Sequence, residues 1–392
     1  MGCIYIPSKV PVNHNKPLRV CYFGTYRENY SRNQMMIAGL KLNGAIVCEC
    51  HETLWHGIED RVRVVSGDWL RPSFWWRLLQ VYWKLVKRFY KLEDFDVLVT
   101  GYPGHLDVFL ARILTWIKHR PLVWDIFMSI YLIALERGLD RHNRLSVKLL
   151  QIIEGLALKL PTKLIIDTQE YVKWFTLNYR VSQERFRLVP TGADDRIFKP
   201  MDKTPSIDGK FRVLYAGTFI PNHGVMYIVE AAKCLESEAD VSFELIGSGP
   251  DLHVVQQYVR QNRLANVEFF DWMEKDQLCK RIMQADVCLG AFGTTPQSLM
   301  TVQNKIYETL ASAKPLISGD SPAARQVLTH AENAYLCRRA DGQSLADAIR
   351  VLRDDSSLRN RIAQNGYNLF AQKYNLVNNG KLFHSILLEV IQ

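Results

Sequence analysis

Two α/β domains in tandem, each built on a mainly parallel sheet, are what this sequence predicts. Three observations carry that reading. The chain has 392 residues, more than one typical core holds. Short apolar runs, several ending in glycine, alternate with helical patterns, the order of a parallel sheet crossed by helices. The alternation then restarts after a polar, proline-containing stretch, FKPMDKTPSIDGK (198–210), read here as a linker.

Taken in order, LRVCYFG (18–24) is the first strand and NQMMIAGLKLNG the first amphipathic helix. AIVCEC, DVLVTG (96–101), PLVWDIF (121–127), KLIIDT (163–168) and FRLVPTG (186–192) follow as strands, with helical patterns between them. The second series opens with FRVLYAGTF (211–219), the helix GVMYIVEAAKCL (224–235) and the strand VSFELIGSG (241–249). DLHVVQQYVRQNRL, DQLCKRIMQA and NKIYETLASA are its further helices, and NVEFFDWM, DVCLGAFG and KPLISGD its further strands. The domains are expected at 1–200 and 201–374, with a C-terminal helix near 375–392 packing back on the first. In such folds ligands sit at the carboxyl ends of the strands, and two facing domains make a cleft.

Composition is that of a globular protein, 48% hydrophobic and 23% charged, with no low-complexity tract. No run of 18 apolar residues is present, so no transmembrane helix is expected. The opening MGCIYIP lacks a signal-peptide pattern and has Ile6 where myristoylation wants Ser or Thr. Eight cysteines occur without a CxxC pair. The CECH cluster at 48–51 lacks the second ligand pair of a structural metal site, so thiols in a reduced cytoplasm are expected, and no metal. Residues 1–200 carry 29 Lys and Arg against 19 Asp and Glu, and residues 201–392 carry 20 against 21. The net charge of +9 therefore belongs to the first half and favours an anionic partner there.

The segment QNKIYETLASAKPLISGD (303–320) is the most informative. A helix starting near Asn304 presents amide groups suited to phosphate. Lys305 adds a charge in its first turn, and Glu308 follows on the same face, where a carboxylate could accept from a ribose diol. An exposed Lys–Glu pair at an ordinary helix start is the competing reading. Together with VLYAGTFIPNHGVMYIVEAA (213–232), FELIGSGP (243–250), ADVCLGAFG (285–293) and LVPTGADDRIFKP (188–200), it resembles the C-terminal half of family 4 glycosyltransferases of the GT-B fold. The resemblance covers most of residues 160–330 in the expected order. It implies two Rossmann-like domains facing across a cleft, a retaining transfer from a nucleoside-diphosphate sugar as co-substrate, and no cofactor or metal. It further implies Glu308 on the ribose, Gly217 and Thr218 against the diphosphate, and Gly247 allowing close approach of base and ribose. Three positions depart from the family's pattern: Met300 replaces a Glu eight residues before Glu308, Thr218 an Arg, and His223 a Lys. Lys305 is expected to compensate, with His223 as a hydrogen-bond donor.

In the first half, FGTYRENYSRN (23–33) follows the first strand as an acceptor-side loop. Gly24 permits close backbone approach, and Arg27 and Arg32 suit an anionic acceptor, unless the loop is plain solvated surface. Asp125, at a strand end, reads either as a group orienting the acceptor or reacting sugar or as a helix cap. His105 reads first as a loop histidine and second as a catalyst. Residues 69–91 hold eight aromatics and six Lys and Arg without an acid. As a helix, Trp76, Leu79, Trp83, Val86 and Tyr90 share one face and Arg77, Gln80, Lys84, Lys87 and Lys91 another. That pattern suits an anionic membrane surface, or a buried helix of the first domain.

The expected partners are a nucleotide sugar, a glycan or lipid-linked acceptor, and the inner face of the cell membrane. No nucleic-acid motif is present. A nucleotide-sugar epimerase and a degenerate, non-catalytic binding protein are the alternatives.

Overall fold

The structure, a computed structural model, describes residues 16–54, 69, 71–201 and 209–392. The MGCIYIP segment and positions 202–208 of the linker lie outside them.

The first domain is a six-stranded parallel sheet in the order β2-β1-β3-β4-β5-β6. Its strands are β1 (Arg19–Gly24), β2 (Ile46–His51), β3 (Val97–Thr100), β4 (Leu122–Asp125), β5 (Lys163–Ile166) and β6 (Phe186–Leu188). Strands β3 and β4 are buried at every residue, which is why they read as unbroken apolar runs rather than alternating ones. Side chains still alternate between the two faces. Tyr22, Val99, Val123 and Ile165 face the layer formed by α1 (Ser31–Leu42). Phe23, Leu98, Leu122, Trp124 and Leu164 face the other layer. That layer comprises α2 (Pro72–Phe89), α3 (Asp107–Ile117), α4 (Ile130–Glu136), α5 (Arg144–Ala157) and α6 (Gln169–Tyr179).

The second domain repeats the plan in the order β12-β11-β10-β7-β8-β9. Its strands are β7 (Phe211–Ala216), β8 (Val241–Ile246), β9 (Val267–Phe270), β10 (Val287–Leu289), β11 (Leu316–Gly319) and β12 (Tyr335–Cys337). The helices are α7 (Val225–Cys234), α8 (Leu252–Gln261), α9 (Lys275–Gln284), α10 (Pro296–Met300), α11 (Asn304–Ala311), α12 (Gly342–Asp354) and α13 (Ser356–Leu369). The last helix, α14 (Leu376–Ile391), leaves this domain and lies on α1. A Cβ on Gly39 would come within 2.8 Å of the Gly380 backbone, so the two helices meet at a glycine–glycine contact.

Polar contacts lock the domains together. Thr168 donates to the Met300 carbonyl (2.6 Å), Tyr171 to Gln297 (3.0 Å), and Lys275 to Gln34 (2.8 Å). Gln297 donates through backbone and side chain to Glu136 (3.2 and 3.1 Å). The Met300 side chain inserts into the apolar core of the first domain. Among the described residues, no His, Cys, Asp and Glu group suits a metal ion. Within CECH, His51 is held by the Tyr26 carbonyl (2.7 Å) and Glu28 (2.8 Å).

Candidate functional site

The C-terminal ends of both sheets point into the interdomain cleft, where β7 gives way to the Gly217–Thr218 loop. Gly217 has φ 152°, a backbone conformation that favours glycine, and a Cβ there would lie 2.5 Å from Lys305 Nζ, which would have to shift aside. Gly247 has φ 135°, and the place of its side chain is taken by the Gly217 carbonyl, 2.1 Å from a hypothetical Cβ. Its close approach is thus to the neighbouring loop, a contact that the ligand-based expectation did not foresee.

Lys305 lies in the first turn of α11 and is only 8% exposed. Its Nζ sits 4.0 Å from the Tyr215 ring centroid and 3.3 Å from His223 Nδ1. Among the described residues no carboxylate is within ion-pair distance of it. Burial therefore pulls its pKa down to about 7, against the upward pull of Glu308. Glu308 is half-buried, and burial pushes it up to about 7 against Lys275 and Lys305. His223 Nδ1 lies 2.7 Å from the Thr218 carbonyl, which assigns the proton to that nitrogen. Tyr215 donates to the same carbonyl (3.0 Å). Burial, with Lys305 nearby, holds His223 well below its usual range, so it is a neutral ring. Thr218 thus contributes its carbonyl to this web, with its side chain half-buried. The site concentrates donors on a helix start whose Gln303 N-cap makes no side-chain cap. An anion of nucleotide-diphosphate type would find there an ammonium, a helix terminus and a carboxylate three residues on.

Glu308 also borders a cleft shared with Ser31, Gln34, Gly192 and Lys275, which joins the two domains. Arg339 braces the far wall, donating to the carbonyls of Asp320 (2.9 Å) and Gly293 (2.7 Å) and to Ser298 (2.8 Å). Burial lowers it to about 10.

On the first-domain side, Asp107 at the start of α3 accepts from the Thr25 backbone (2.7 Å) and side chain and from Tyr82 (3.1 Å). Gly24 is required here, since a Cβ would lie 2.6 Å from that carboxylate. Arg27 is half-buried beside the Tyr30 ring. Arg32 and Asp125, expected to face ligand, instead face each other. Both are fully buried, with Nε 2.9 Å from each Asp125 oxygen, NH2 2.8 Å from one, and NH1 on the Val189 carbonyl (3.1 Å). Burial opposes charge on both, and Asp125 holds the Arg32 guanidinium above its usual value. The physical reason is that Asp125 and the Val189 carbonyl engage the guanidinium inside the domain through Nε and NH1, with NH2 in ion-pair contact but making no hydrogen bond. His105 is buried as well. Its Nε2 lies 3.2 Å from Glu154, which also accepts from Ser129 (2.8 Å), Ile130 (2.8 Å) and Tyr179 (2.5 Å). The acids Asp107, Glu154 and Asp167 escaped the sequence reading. Each sits at or inside an ordinary element, without a motif around it.

Residues 210–355 match the family described as Glycosyl transferases group 1. The chain is 25% identical over 186 residues to alpha-D-kanosaminyltransferase of Streptomyces kanamyceticus, covering 47% of each chain. The match thus spans about half the length of that relative. Two solved structures share the architecture. HepE of Anabaena, in complex with UDP, aligns at TM-score 0.69 and 15% identity over 95% of this chain and 100% of that one. Sucrose-phosphate synthase of Thermosynechococcus elongatus aligns at TM-score 0.71 and 14% identity over 95% and 98%. The two parallel six-stranded sheets of this chain are arranged as a GT-B fold.

Proposed function

We propose that this chain is a glycosyltransferase that moves a sugar from a nucleoside-diphosphate sugar to an acceptor held by the first domain. The observation that carries this is Lys305, a nearly buried ammonium in the first turn of α11 against the Gly217 loop, without a carboxylate partner among the described residues. A diphosphate placed there restores the charge that burial removes. Glu308 takes the ribose hydroxyls. The leaving diphosphate is stabilised electrostatically by Lys305 and the helix amides, and closure of the cleft excludes water. No divalent cation is invoked, and retention at the anomeric carbon follows the family resemblance. UDP, which HepE holds, is the first nucleotide to test.

Lys305→Ala and Glu308→Ala should each weaken UDP binding by roughly 1.5–3 kcal/mol in calorimetric titration, with unchanged circular dichroism. Wild-type affinity in both variants would remove the donor site from this helix. Transfer assayed in excess chelator should persist. Met300, buried in the first domain's core where the resemblance sets an acid, favours a second reading, a sugar-nucleotide binder that does not transfer. Binding without product on any acceptor would select it.

The acceptor is proposed to be a lipid-linked glycan at the inner membrane face. Helix α2 buries Phe74, Leu78, Val81, Leu85 and Phe89 and leaves Trp75, Trp76, Leu79 and Trp83 exposed. None of the described helices is long and apolar enough to cross a membrane, so the proposed contact is peripheral.

A further inference from the structure

Asp167 follows β5 directly, at the seam between the domains, and takes no part in the chemistry above. It is 7% exposed, and among the described residues no other side chain hydrogen-bonds its carboxylate, which only the amides of Asp167 and Thr168 approach, without full hydrogen-bond geometry. Burial pushes its acid up to about 7, although Arg32 and the amides of Asp167 and Thr168 lower it. Among the described residues Arg32 forms no ion pair with Asp167: its Nε and NH1 are held by Asp125 and the Val189 carbonyl, while its NH2 makes no hydrogen bond. Native structures leave few buried polar atoms unpaired, and a carboxylate is the most costly group to leave so.

A second unpaired group lies at the exit of the neighbouring strand. Thr191, three residues past β6, is 2% exposed with an unpartnered Oγ1. The Val189 amide donates to the Ile166 carbonyl (2.8 Å) and ties the two strand exits side by side. Across the seam, Thr168, next to Asp167, donates to the Met300 carbonyl (2.6 Å). Met300 precedes Asn304, the start of α11, by a few residues. Asp167, through its neighbour Thr168, therefore adjoins the segment leading into the helix assigned to the diphosphate.

We propose that Asp167, with Thr191 past the neighbouring strand exit, is the subsite for the donor's sugar: its carboxylate accepts hydrogen bonds from the sugar's hydroxyls while α11 holds the diphosphate. This rests on the donor-site reading above. An ionised carboxylate has four acceptor positions and matches a pair of hydroxyls. Acceptor-glycan hydroxyls offer the same chemistry, and the short path to α11 favours the donor. The seam must part to admit the sugar, whose hydroxyls then supply the missing partners.

The test is calorimetric titration of wild type, Asp167→Asn, Asp167→Ala and Thr191→Val with UDP, UDP-glucose, UDP-galactose and UDP-N-acetylglucosamine. Asp167→Asn is isosteric and removes a buried charge, so it is expected to fold. In wild type at least one sugar nucleotide should bind more tightly than UDP. Both Asp167 variants should cut that advantage at least about tenfold, with UDP affinity unchanged. The wild-type ratio of sugar nucleotide to UDP in both variants overturns the proposal, as does a loss confined to the KM for acceptor. It is equally overturned if wild type binds UDP and gains nothing from any of the sugars. Failure of wild type to bind any of the four nucleotides sinks the donor-site reading, and this subsite with it.

Discussion

Arg32 and Asp125 stand 93 positions apart and meet inside the first domain as a bidentate pair. Each alone has the chemistry of a site residue, an anion holder and an acid at a strand end. Their distance in the chain hides that each is the other's partner. Removing one member of a buried pair leaves an uncompensated charge, which typically costs about 3–5 kcal/mol. Asp125→Asn should therefore destabilise the protein by that amount in urea unfolding followed by tryptophan fluorescence. The double variant Arg32→Met/Asp125→Leu should recover much of the loss. A fully stable Asp125→Asn protein that loses transfer would instead make Asp125 a reacting group. At Lys305 the pattern reverses. The sequence placed it at the start of a helix beside an acid three residues on, and in the structure that acid is near but unbonded. Local spacing on a helix is legible from sequence because 3.6 residues per turn fixes it. Partners that arrive from other strands are not.

At the scale of elements, the strands were the easiest to read. Parallel strands buried on both faces appear as short apolar runs, and VLVT and LVWD are buried at every position. The short strand β12 went unread, since three residues carry no periodicity. The segment 69–91 reads as either a membrane-facing or a buried helix, and α2 is amphipathic in an unusual sense. Its core face is Phe74, Leu78, Val81, Leu85 and Phe89. The face grouped from sequence, Trp76, Leu79, Trp83 and Tyr90, is the exposed one, with Val86 half-buried. Two apolar stripes on one helix cannot be ranked by sequence alone, because either could meet the sheet. The glycines of the donor loop show the same limit. Gly217 is legible as a loop glycine, but its φ of 152° and the Lys305 ammonium against it, 88 positions later in the chain, emerge only in the folded structure.

At the scale of the whole molecule, charge and exposed apolar surface fall in the same half. The surplus of Lys and Arg lies within residues 1–200. In that domain Trp76 is 65%, Trp83 62% and Trp116 72% exposed, with Ile113 and Ile117 beside the last on α3. Lys84 and Lys87 are exposed on α2, and Lys87 lies over the Trp83 ring (5.1 Å). Helices α2 and α3 cover the same face of the sheet, so both stripes belong to one outer layer. Tryptophans flanked by lysines are suited to the headgroup region of an anionic bilayer, where each basic side chain contributes about 1 kcal/mol. We therefore expect the protein to co-sediment with vesicles containing acidic phospholipid and not with neutral ones. Binding should weaken from 0.1 M to 1 M salt, as the Debye length falls from about 10 Å to about 3 Å. Changing Lys84, Lys87 and Arg88 together to Glu should abolish the salt-sensitive part. Arg88 also pairs with Glu52 (2.7 Å), so Lys84→Glu/Lys87→Glu serves as the variant that leaves this ion pair intact. Trp76→Ser/Trp83→Ser should lower affinity at every salt concentration, because burial of their rings is not screened. Wild-type protein that ignores acidic vesicles, or lysine variants that bind as well as wild type, would remove the membrane from this face. The exposed tryptophans would then need another partner.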